Sequence, residues 1–569
     1  MSRKNTYRSS IVCIALACAV AIVYAQTATF EFVRYDDPLT LTENTVVMRG
    51  LTIDGLVHAF TRAEINLYHP VTTISHMADV SWFGLDAGFH HLANVAWHAL
   101  ASILLFLALR SLAGRLWPSA VVAALFALHP ANVESIAWIS QRKDTMAACF
   151  VFAALIAYCR YTRVPTRINY AMVCGPVLLA ILAKPVAVVI PVLLLVFDYW
   201  PLDRWRWQWC RIRNLAIEKI PLLALSVVGG LLALYFQSES GNAATGSLLG
   251  PVEKAAMAMH NYALYLGKVF YPVDLAYFYP YPDRVSTLKL ITTAVVVGAV
   301  SGFSLWAAHR GYRYVLTGWL WFLVALAPTI GLVPVGESFL PDRYLYLSSI
   351  GIFIIVVWGT SDVLDTLQMS RREQRWIASV SAIALLGIMA FQSYHQCRVW
   401  RNTLSLAQHA VDVVPDNYAA YDMAGTALHE AGRIDEAISC FEKAITIRPD
   451  HQAAYVNLGV SYQALGRDDE ALSAYLKQLE VSPGNIRAMS GLGSIWIERK
   501  NYLAAEQVYL QWSCVEPDSP KVWSNLGAAR FYGKRWQASA EAFQRAAELE
   551  PGNKEHLRNS RAAMEMIHK

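Results

Sequence analysis

Apolar residues dominate the first two thirds of this chain in long runs, and the pattern changes near residue 396. Up to that point, runs suited to transmembrane helices alternate with short polar connections. Beyond it, apolar residues recur at helical spacing among charged residues and alanines, which is typical of soluble helices. The pattern predicts an all-α protein in which a polytopic membrane domain precedes a soluble helical domain.

The apolar runs predict about eleven membrane crossings. They lie near residues 9–29, 91–110, 117–130, 145–162, 170–183, 185–201, 220–237, 289–309, 313–333, 345–361 and 376–396. Lys and Arg are concentrated in alternate connections, so the positive-inside rule predicts a cytoplasmic N-terminus and an extracytoplasmic C-terminal domain. Residues 1–25 also have features of a signal peptide, but we favour an uncleaved first helix. The Tyr- and Pro-rich segment 251–284 is interpreted as interfacial or re-entrant on the outer side.

Composition agrees with a membrane protein and excludes several other classes. Of the 569 residues, 55% are hydrophobic and only 16% are charged, whereas soluble proteins are about 25% charged. The net charge of +5 comes without a basic stripe, so nucleic acid is not an expected partner. The nine cysteines show no CxxC or Cys/His spacing, so neither a disulfide framework nor a zinc site is expected.

The C-terminal part repeats with a fixed period. Prolines recur every 34 residues, at Pro415, Pro449, Pro483, Pro517 and Pro551. Each interval contains a glycine in a first helix and an aromatic residue in a second one. The glycines are Gly425, Gly459, Gly493 and Gly527, and the aromatic residues are Phe441, Tyr475, Tyr509 and Phe543. This period and these small residues indicate tetratricopeptide (TPR) repeats.

We therefore expect two domains. Residues 1–397 form the membrane domain, with a long first outer loop at about 30–90. Residues 398–569 form the TPR array, with four full repeats at 415–550, a preceding half-unit and a polar capping helix. Such arrays stack into a superhelix whose concave face suits extended peptides. We favour peptide or partner-protein binding here over an array without a ligand.

Polar side chains from four predicted outer loops are expected to lie near one another at the membrane surface. These side chains are Asp36 and Asp37; Glu134, Arg142, Lys143 and Asp144; Lys184; and Glu337, Asp342, Arg343 and Tyr344. Charged groups are costly at membrane depth, so their convergence favours a shared functional site over four separate solvated rims.

Glycosyl transfer from a lipid phosphate requires this combination of charges. Extracytoplasmic reactions lack nucleotide sugars, so the activated sugar arrives on a lipid carrier. A carboxylate takes the acceptor's proton, and cations hold the phosphate as it leaves with negative charge. A single carboxylate therefore suffices, in contrast to the two of glycoside hydrolases. Asp36 or Asp37 would be the base, and Lys184, Arg142, Lys143 and Arg343 would bind the phosphate.

Long motifs resemble one family. "YDDP", "LFALHPANVESIAWISQRKD", "AKPVAVVIPVLLLVFDYWPL" and "DRYLYLSSIG" resemble the transmembrane and TPR repeat-containing O-mannosyltransferases and their bacterial relatives, which are GT-C glycosyltransferases. The resemblance covers the whole chain. It implies a polyprenyl- or dolichyl-phosphate monosaccharide donor, typically mannose, and inverting transfer to Ser or Thr. It also implies that one of Asp36 and Asp37 is the catalytic base and that Glu134 is a second essential carboxylate.

Several alternatives stay open at this stage. Of the two aspartates we favour Asp37 as the base, with the other orienting it or the acceptor. The acceptor could instead be an envelope glycan or lipid, or the chain could be a non-catalytic membrane-anchored scaffold. His90, His91 and His98 are interpreted as a packed helix face, and no metal site is expected. The predicted location is a bacterial inner membrane with the repeats in the periplasm, or the ER membrane with the repeats in the lumen.

Overall fold

The computed structural model describes residues 3–63, 68–205, 209–239, 250–282, 285–332, 338–367 and 369–567. The chain divides into two compact units, Met1–Val414 and Pro415–Lys569. No strand occurs among the described residues, so the predicted all-α class is confirmed. Residues 398–414, which the sequence analysis assigned to the repeats, pack with the first unit.

Sixteen α-helices lie within the described residues of the first unit. They are α1 (Arg3–Tyr24), α2 (Ile53–Thr61), α3 (Pro70–Phe83), α4 (Ala87–Ala113), α5 (Leu116–Leu128), α6 (Val133–Ala137), α7 (Arg142–Arg163), α8 (Arg167–Ala183), α9 (Ile190–Tyr199), α10 (Trp209–Glu239), α11 (Pro251–Phe270), α12 (Thr287–His309), α13 (Arg313–Leu326), α14 (Leu345–Thr366), α15 (Arg371–Arg398) and α16 (Thr403–Val413).

Helices suited to crossing a membrane occur throughout this unit. In the described part of the chain, seven helical segments are long and apolar enough to cross, and an eighth is possible if the bent pair α5–α6 is one span. They agree with a multi-pass membrane protein. The remaining predicted crossings coincide with the shorter helices α8, α9 and α13. These are shorter than the ~20 residues of a straight span, so the count of eleven stays a prediction.

Prolines break two of the apolar segments where polar residues follow. Pro130 separates α5 from α6 with a bend of 56°, and Pro185 opens a 3₁₀ turn after α8. In both cases the residue before the proline, His129 or Lys184, is extended, because the proline ring disfavours helical backbone there. Each break therefore ends one apolar helix inside the unit, next to polar residues.

Side chains satisfy the carbonyl groups that the α5 break leaves without a helical partner. The carbonyl of Phe126 accepts a hydrogen bond from Asn132 at 2.8 Å, and that of Leu128 accepts one from Ser393 at 2.8 Å. The His98 ring lies 3.1 Å from the Ala127 carbonyl. Freed backbone groups at membrane depth need such partners. His98 thus has a packing role, as the sequence suggested.

The segment between α1 and α4, which the sequence predicts to be the first outer loop, has its own small core. Buried Val47, Ala59 and Met77 pack together between the turn at Val47–Arg49, α2 and α3. Thr72 of α3 donates a hydrogen bond to the carbonyl of Ala183, at 3.0 Å, where α8 ends. The loop is therefore fixed against the second break in the membrane unit.

A buried ionic network joins α7, α9 and α10. Asp198 and Lys219 are both fully buried, and the Lys219 ammonium lies 2.9 Å from the Asp198 carboxylate. Arg204 lies 2.8 Å from Asp198 and 2.7 Å from Glu218. Tyr158 donates to the Asp198 carboxylate at 2.7 Å. Two acidic and two basic groups balance in charge, which buried ions require.

Nine α-helices lie within the described residues of the second unit, as four consecutive pairs followed by a final helix. They are α17 (Tyr418–Glu430), α18 (Ile434–Ile447), α19 (Gln452–Ala464), α20 (Asp468–Val481), α21 (Ile486–Glu498), α22 (Tyr502–Val515), α23 (Pro520–Tyr532), α24 (Trp536–Leu549) and α25 (Lys554–Ile567). The repeat glycines face the repeat aromatic rings. A Cβ atom on Gly459 would lie 2.5 Å from the Tyr475 ring. Only glycine lets the two helices approach this closely.

Candidate active site

Asp37 fixes the turn that follows the first membrane helix. It precedes the one-turn π-helix Pro38–Thr42 and is fully buried. One carboxylate oxygen accepts from the Val33 amide at 2.9 Å, and the other accepts from the Ser140 hydroxyl at 2.5 Å and from its amide at 3.2 Å. Burial raises the pKa of Asp37 to about 6, although the bonds from Ser140 and Val33 oppose this increase.

These contacts argue against the preference for Asp37 as the base. Both of its oxygens are occupied by groups of the protein, and no part of the residue reaches solvent. Asp36 is partly exposed. Within the described part of the chain, the Asp36 backbone carbonyl accepts from Thr40, while its carboxylate makes no hydrogen bond. Among charged neighbours, the Lys143 ammonium interacts most strongly with Asp36. The geometry therefore favours Asp36 as the base.

Glu134 and Arg343 bring two of the predicted loops together. Glu134 lies on α6, directly after the Pro130 break. Its carboxylate accepts from the Arg343 guanidinium at 2.6 Å and from the Arg343 amide at 3.0 Å. Such a two-point contact fixes both direction and distance. Glu134 thus orients Arg343, whose guanidinium carbon also lies 5.6 Å from the Trp138 ring centroid.

Asp342 is held by a group that sequence reasoning missed. Lys268, at the end of α11, lies 2.5 Å from the Asp342 carboxylate, and Tyr279 donates to it at 2.9 Å. Burial and the Asp342 charge raise the pKa of Tyr279, so its phenol stays protonated and can donate. Both partners come from segment 251–284, where density of Tyr and Pro was the only available signal. Asp342 is therefore a supporting residue.

Three cations, Lys143, Lys184 and Arg343, lie near one another, and the carboxylates of Asp36, Asp144 and Glu134 lie among them. Lys184 pairs with Asp144, which also accepts from the Ser135 hydroxyl at 3.1 Å. Lys143, whose side chain is almost completely buried, interacts repulsively with both Lys184 and Arg343. Within the described residues, the Lys143 ammonium makes no hydrogen bond. An anionic ligand would relieve the repulsion among these buried cations.

The buried imidazole of His69 is also affected by the positive charges of Lys143 and Lys184. Its imidazole is buried and lies 3.2 Å from the Thr73 hydroxyl. Burial and the charges of Lys143 and Lys184 lower the pKa of His69 to about 3, so the ring is neutral at physiological pH. His69 directly precedes Pro70, where α3 begins. The fold shows that it also lies near two of the three cations, Lys143 and Lys184.

A cleft opens beside these charges. Its polar end is formed by Asp144, Lys184, Arg343 and Tyr344. Its remaining walls are mostly apolar and come from α7, from the 3₁₀ turn after Lys184, and from the start of α14. A ligand that fits this cleft would combine an anionic head group with a hydrocarbon tail.

The sequence also predicted Arg142 and Glu337 as site residues. Arg142 is fully buried, pairs with Asp79, and donates to Asn94 at 2.7 Å and to the His90 carbonyl at 2.9 Å. With its donors used in this way, Arg142 is held by the protein itself, which argues against the expected role as a phosphate ligand. Glu337 lies outside the described residues.

Comparison with known proteins gives matches in both parts of the chain. A family described as "TPR repeat" matches residues 425–466, and one described as "Tetratricopeptide repeat" matches residues 452–485. Among solved structures, the MamA protein of Desulfovibrio magneticus RS-1 is 18% identical, with a TM-score of 0.24 over 26% of this chain and 91% of its own. YrrB, a TPR protein, is 16% identical, with a TM-score of 0.26 over 36% of this chain and 98% of its own.

The curated relatives extend the match into the membrane unit. Protein O-mannosyl-transferase TMTC1 of Homo sapiens is 23% identical over 484 residues, covering 74% of this chain and 53% of its own length. Protein O-mannosyl-transferase TMTC4 of Homo sapiens is 23% identical over 494 residues, with coverages of 74% and 64%. The chain thus aligns with about half to two thirds of each relative. The predicted resemblance to the transmembrane and TPR repeat-containing O-mannosyltransferases is therefore confirmed as a sequence similarity across most of this chain.

Proposed function

We propose that this chain is a membrane glycosyltransferase that moves a monosaccharide from a polyprenyl phosphate to Ser or Thr hydroxyls of extracytoplasmic proteins, with inversion. One arrangement of charges carries the proposal. A partly exposed carboxylate, Asp36, interacts with Lys143, and Lys143 in turn interacts with Lys184 and Arg343, which form part of the polar end of an otherwise apolar cleft. The names of the relatives support mannose as the sugar.

In the proposed reaction, the Asp36 carboxylate and the three cations have different roles. The Asp36 carboxylate accepts the proton of the acceptor hydroxyl as its oxygen forms a bond to C1 of the sugar. The bond from C1 to the phosphate oxygen breaks on the opposite face, which inverts the anomeric centre. The polyprenyl phosphate leaves as an anion beside Lys143, Lys184 and Arg343, which stabilise its charge. No general acid is needed, because a phosphate is a good leaving group.

Supporting residues keep these groups in position. Asp37 holds the turn that carries Asp36, Glu134 orients Arg343, and Asp144 holds Lys184. The polyprenyl chain would follow the apolar walls of the cleft. Positioning of this kind accounts for a large part of the acceleration in enzymes of any fold. No resident metal is part of the proposal.

The topology and the role of the repeats belong to the same proposal. The distribution of Lys and Arg favours a cytoplasmic N-terminus, with the site and the TPR unit on the other side. The TPR unit would bind the acceptor polypeptide or a partner protein. In a bacterium this side is the periplasm, and in a eukaryotic cell it is the ER lumen.

The test is transfer by the purified full chain. It is incubated with radiolabelled polyprenyl-phosphate mannose and an extracytoplasmic protein acceptor, and label on Ser or Thr is identified by mass spectrometry. Label that appears only on a glycan or lipid would replace the protein acceptor in the proposal. Absence of turnover with every polyprenyl-phosphate sugar supplied would favour a non-catalytic scaffold. Glycoproteomic comparison of a deletion strain with wild type would identify sugar and acceptor together.

A further inference from the structure

Three potential metal ligands meet between the first outer loop and the membrane helices. His76 and Asp79 lie three residues apart on α3, and His90 lies in the first turn of α4. Their donor atoms all lie within 4.8 Å of one another, and all three residues are buried. The spacing on α3 places both side chains on one face of the helix. This cluster is separate from the proposed donor site and has no role in the transfer steps.

The two histidines have ring nitrogens without partners in this buried place. Neither ring nitrogen of His76 has a hydrogen-bond partner within the described part of the chain, although the residue is fully buried. His90 Nε2 lies 3.0 Å from the Gly84 carbonyl, which can only accept, so Nε2 carries the hydrogen. In the neutral ring, the lone pair of Nδ1 then faces the Asp79 carboxylate at 3.6 Å. Arg142 already pairs with this Asp79 oxygen, and a metal ion bound by His90 Nδ1 and the carboxylate would turn the repulsion between these two electron-rich groups into attraction.

We propose that His76, Asp79 and His90 bind a divalent transition metal, with zinc as the expected ion. Imidazole nitrogens with one carboxylate oxygen form a common zinc donor set, whereas calcium and magnesium prefer oxygen ligands alone. Supporting contacts typical of a metal site are also present. The Gly84 carbonyl fixes the His90 tautomer, and Arg142 holds the Asp79 carboxylate.

The position of the cluster indicates a structural ion. It would join α3 of the outer loop to the start of α4, and Arg142 extends the connection to the start of α7. Lys143, the next residue, belongs to the proposed donor site. A metal at this point would hold the folded loop against the membrane unit.

The competing explanation is that His90 binds an additional proton and that the cluster holds no metal ion. A doubly protonated His90 would form an ion pair with Asp79, whose carboxylate also pairs with Arg142. These two explanations differ in metal content, which can be measured without any transferase assay. The proposal therefore fails or succeeds independently of the proposed function.

The experiment measures zinc in the full chain purified in detergent without chelator. Inductively coupled plasma mass spectrometry should find about one zinc ion per chain, as for a single structural site. His76→Gln and His90→Gln should each weaken zinc binding by more than about 100-fold, since losing only a supporting contact costs about 10- to 100-fold. The matched control is His91→Gln. His91 is equally buried on α4, but its Nε2 contacts the Glu31 carbonyl, and this variant should keep its zinc.

A second measurement keeps the test decisive if the variants do not fold. Cobalt is titrated into the chelator-treated wild-type chain, where three protein ligands, two of them imidazole nitrogens and one a carboxylate oxygen, should give intense visible ligand-field absorption that zinc abolishes. Wild type that holds no zinc after incubation with zinc and shows no cobalt absorption would overturn the metal site and leave the His90–Asp79 ion pair. Equal loss of zinc in His91→Gln would also contradict the assignment.

Discussion

At the residue scale, two neighbouring carboxylates have different environments. Asp36 is partly exposed and faces Lys143, whereas Asp37 is fully buried and bound to Val33 and Ser140. A catalytic base must reach the acceptor hydroxyl, so exposure and open lone pairs matter more than a raised pKa. This difference leads to two predictions that separate the roles.

Asp36→Asn should abolish transfer and leave the protein folded. An amide cannot accept the hydroxyl proton, so we expect a loss of roughly 10²- to 10⁴-fold in kcat. The measurement is transfer from labelled polyprenyl-phosphate mannose, with thermal unfolding in detergent as the check on folding. Asp37→Asn is the matched control. It should keep a larger fraction of kcat but unfold more easily, because one buried donor loses its acceptor at a cost of about 1–3 kcal/mol. Full activity in both variants and in the double variant would exclude an aspartate base.

The stability of the wild type relative to Asp37→Asn should depend on pH. Burial raises the pKa of Asp37 to about 6 in the folded chain, so the folded state binds this proton more tightly than the unfolded state. The stability that results is fully present below about pH 4 and is lost as the pH rises through about 6. The difference in unfolding free energy should therefore decrease over this window, by on the order of 3 kcal/mol, and stay constant above it. A flat difference would show that folding leaves the pKa of Asp37 unchanged.

At the element scale, buried contacts between helices decide where each helix lies. The network of Asp198, Lys219, Arg204, Glu218 and Tyr158 joins three helices of the membrane unit. In the repeats, uncharged contacts between glycines and aromatic rings decide how neighbouring helices pack. The ionic network and the repeat glycines each lead to one prediction.

Lys219→Met should destabilise the membrane unit strongly. It removes one of the two cations beside fully buried Asp198, and breaking a buried pair costs about 3–5 kcal/mol. The double variant Asp198→Asn/Lys219→Met should lose less than the sum of the single variants, because it leaves no unpaired Asp198 charge. Thermal unfolding in detergent measures this. Exposed Arg213→Gln, also on α10, is the control, with an expected change within about 0.5 kcal/mol.

Gly459→Ala should loosen the second repeat. The new Cβ would lie 2.5 Å from the Tyr475 ring, which is also 2.4 Å from the equivalent position on Gly491. The ring cannot move away toward either helix, so we expect about 1–3 kcal/mol of destabilisation. Hydrogen exchange of α19 and α20 in the full chain should report it. In Gly484→Ala the added atom has an ordinary contact of 3.9 Å with Val515, so unchanged exchange is expected there.

At the scale of the whole molecule, the two units divide the proposed function. The membrane unit contains all residues of the proposed donor site, and the TPR unit begins at Pro415. Such a division predicts that the chemistry and the choice of acceptor can be separated.

Deletion of residues 415–569 should lower transfer to full-length protein acceptors and spare transfer to a short peptide at high concentration. The site would keep its base and cations, whereas binding of the acceptor by the repeats would be lost. The two activities are compared in membranes that contain equal amounts of each chain. Unchanged protein glycosylation would exclude acceptor presentation by the repeats. Loss of both activities would indicate that the repeats also support the membrane unit.

Much of this organisation follows from the sequence. Helical periodicity, the apolar runs and the 34-residue repeat are local patterns, so they predicted the helices and the repeats without knowledge of contacts. The motifs also indicated that Asp36, Glu134, Lys184 and Arg343 would serve one site. Glu134 and Arg343 are indeed bonded, at 2.6 Å. Prolines before the polar turns gave the reason for such breaks in advance.

Only the tertiary structure decided which group has which role. Asp36 and Asp37 are adjacent and chemically identical, and they differ only because Ser140, more than a hundred residues later, occupies one of them. Arg142 pairs with Asp79, and Lys268 with Tyr279 holds Asp342. His76, Asp79 and His90 likewise meet only in the fold. The physical reason is that burial and pairing are set by neighbours in space, whereas periodicity is set by neighbours along the chain.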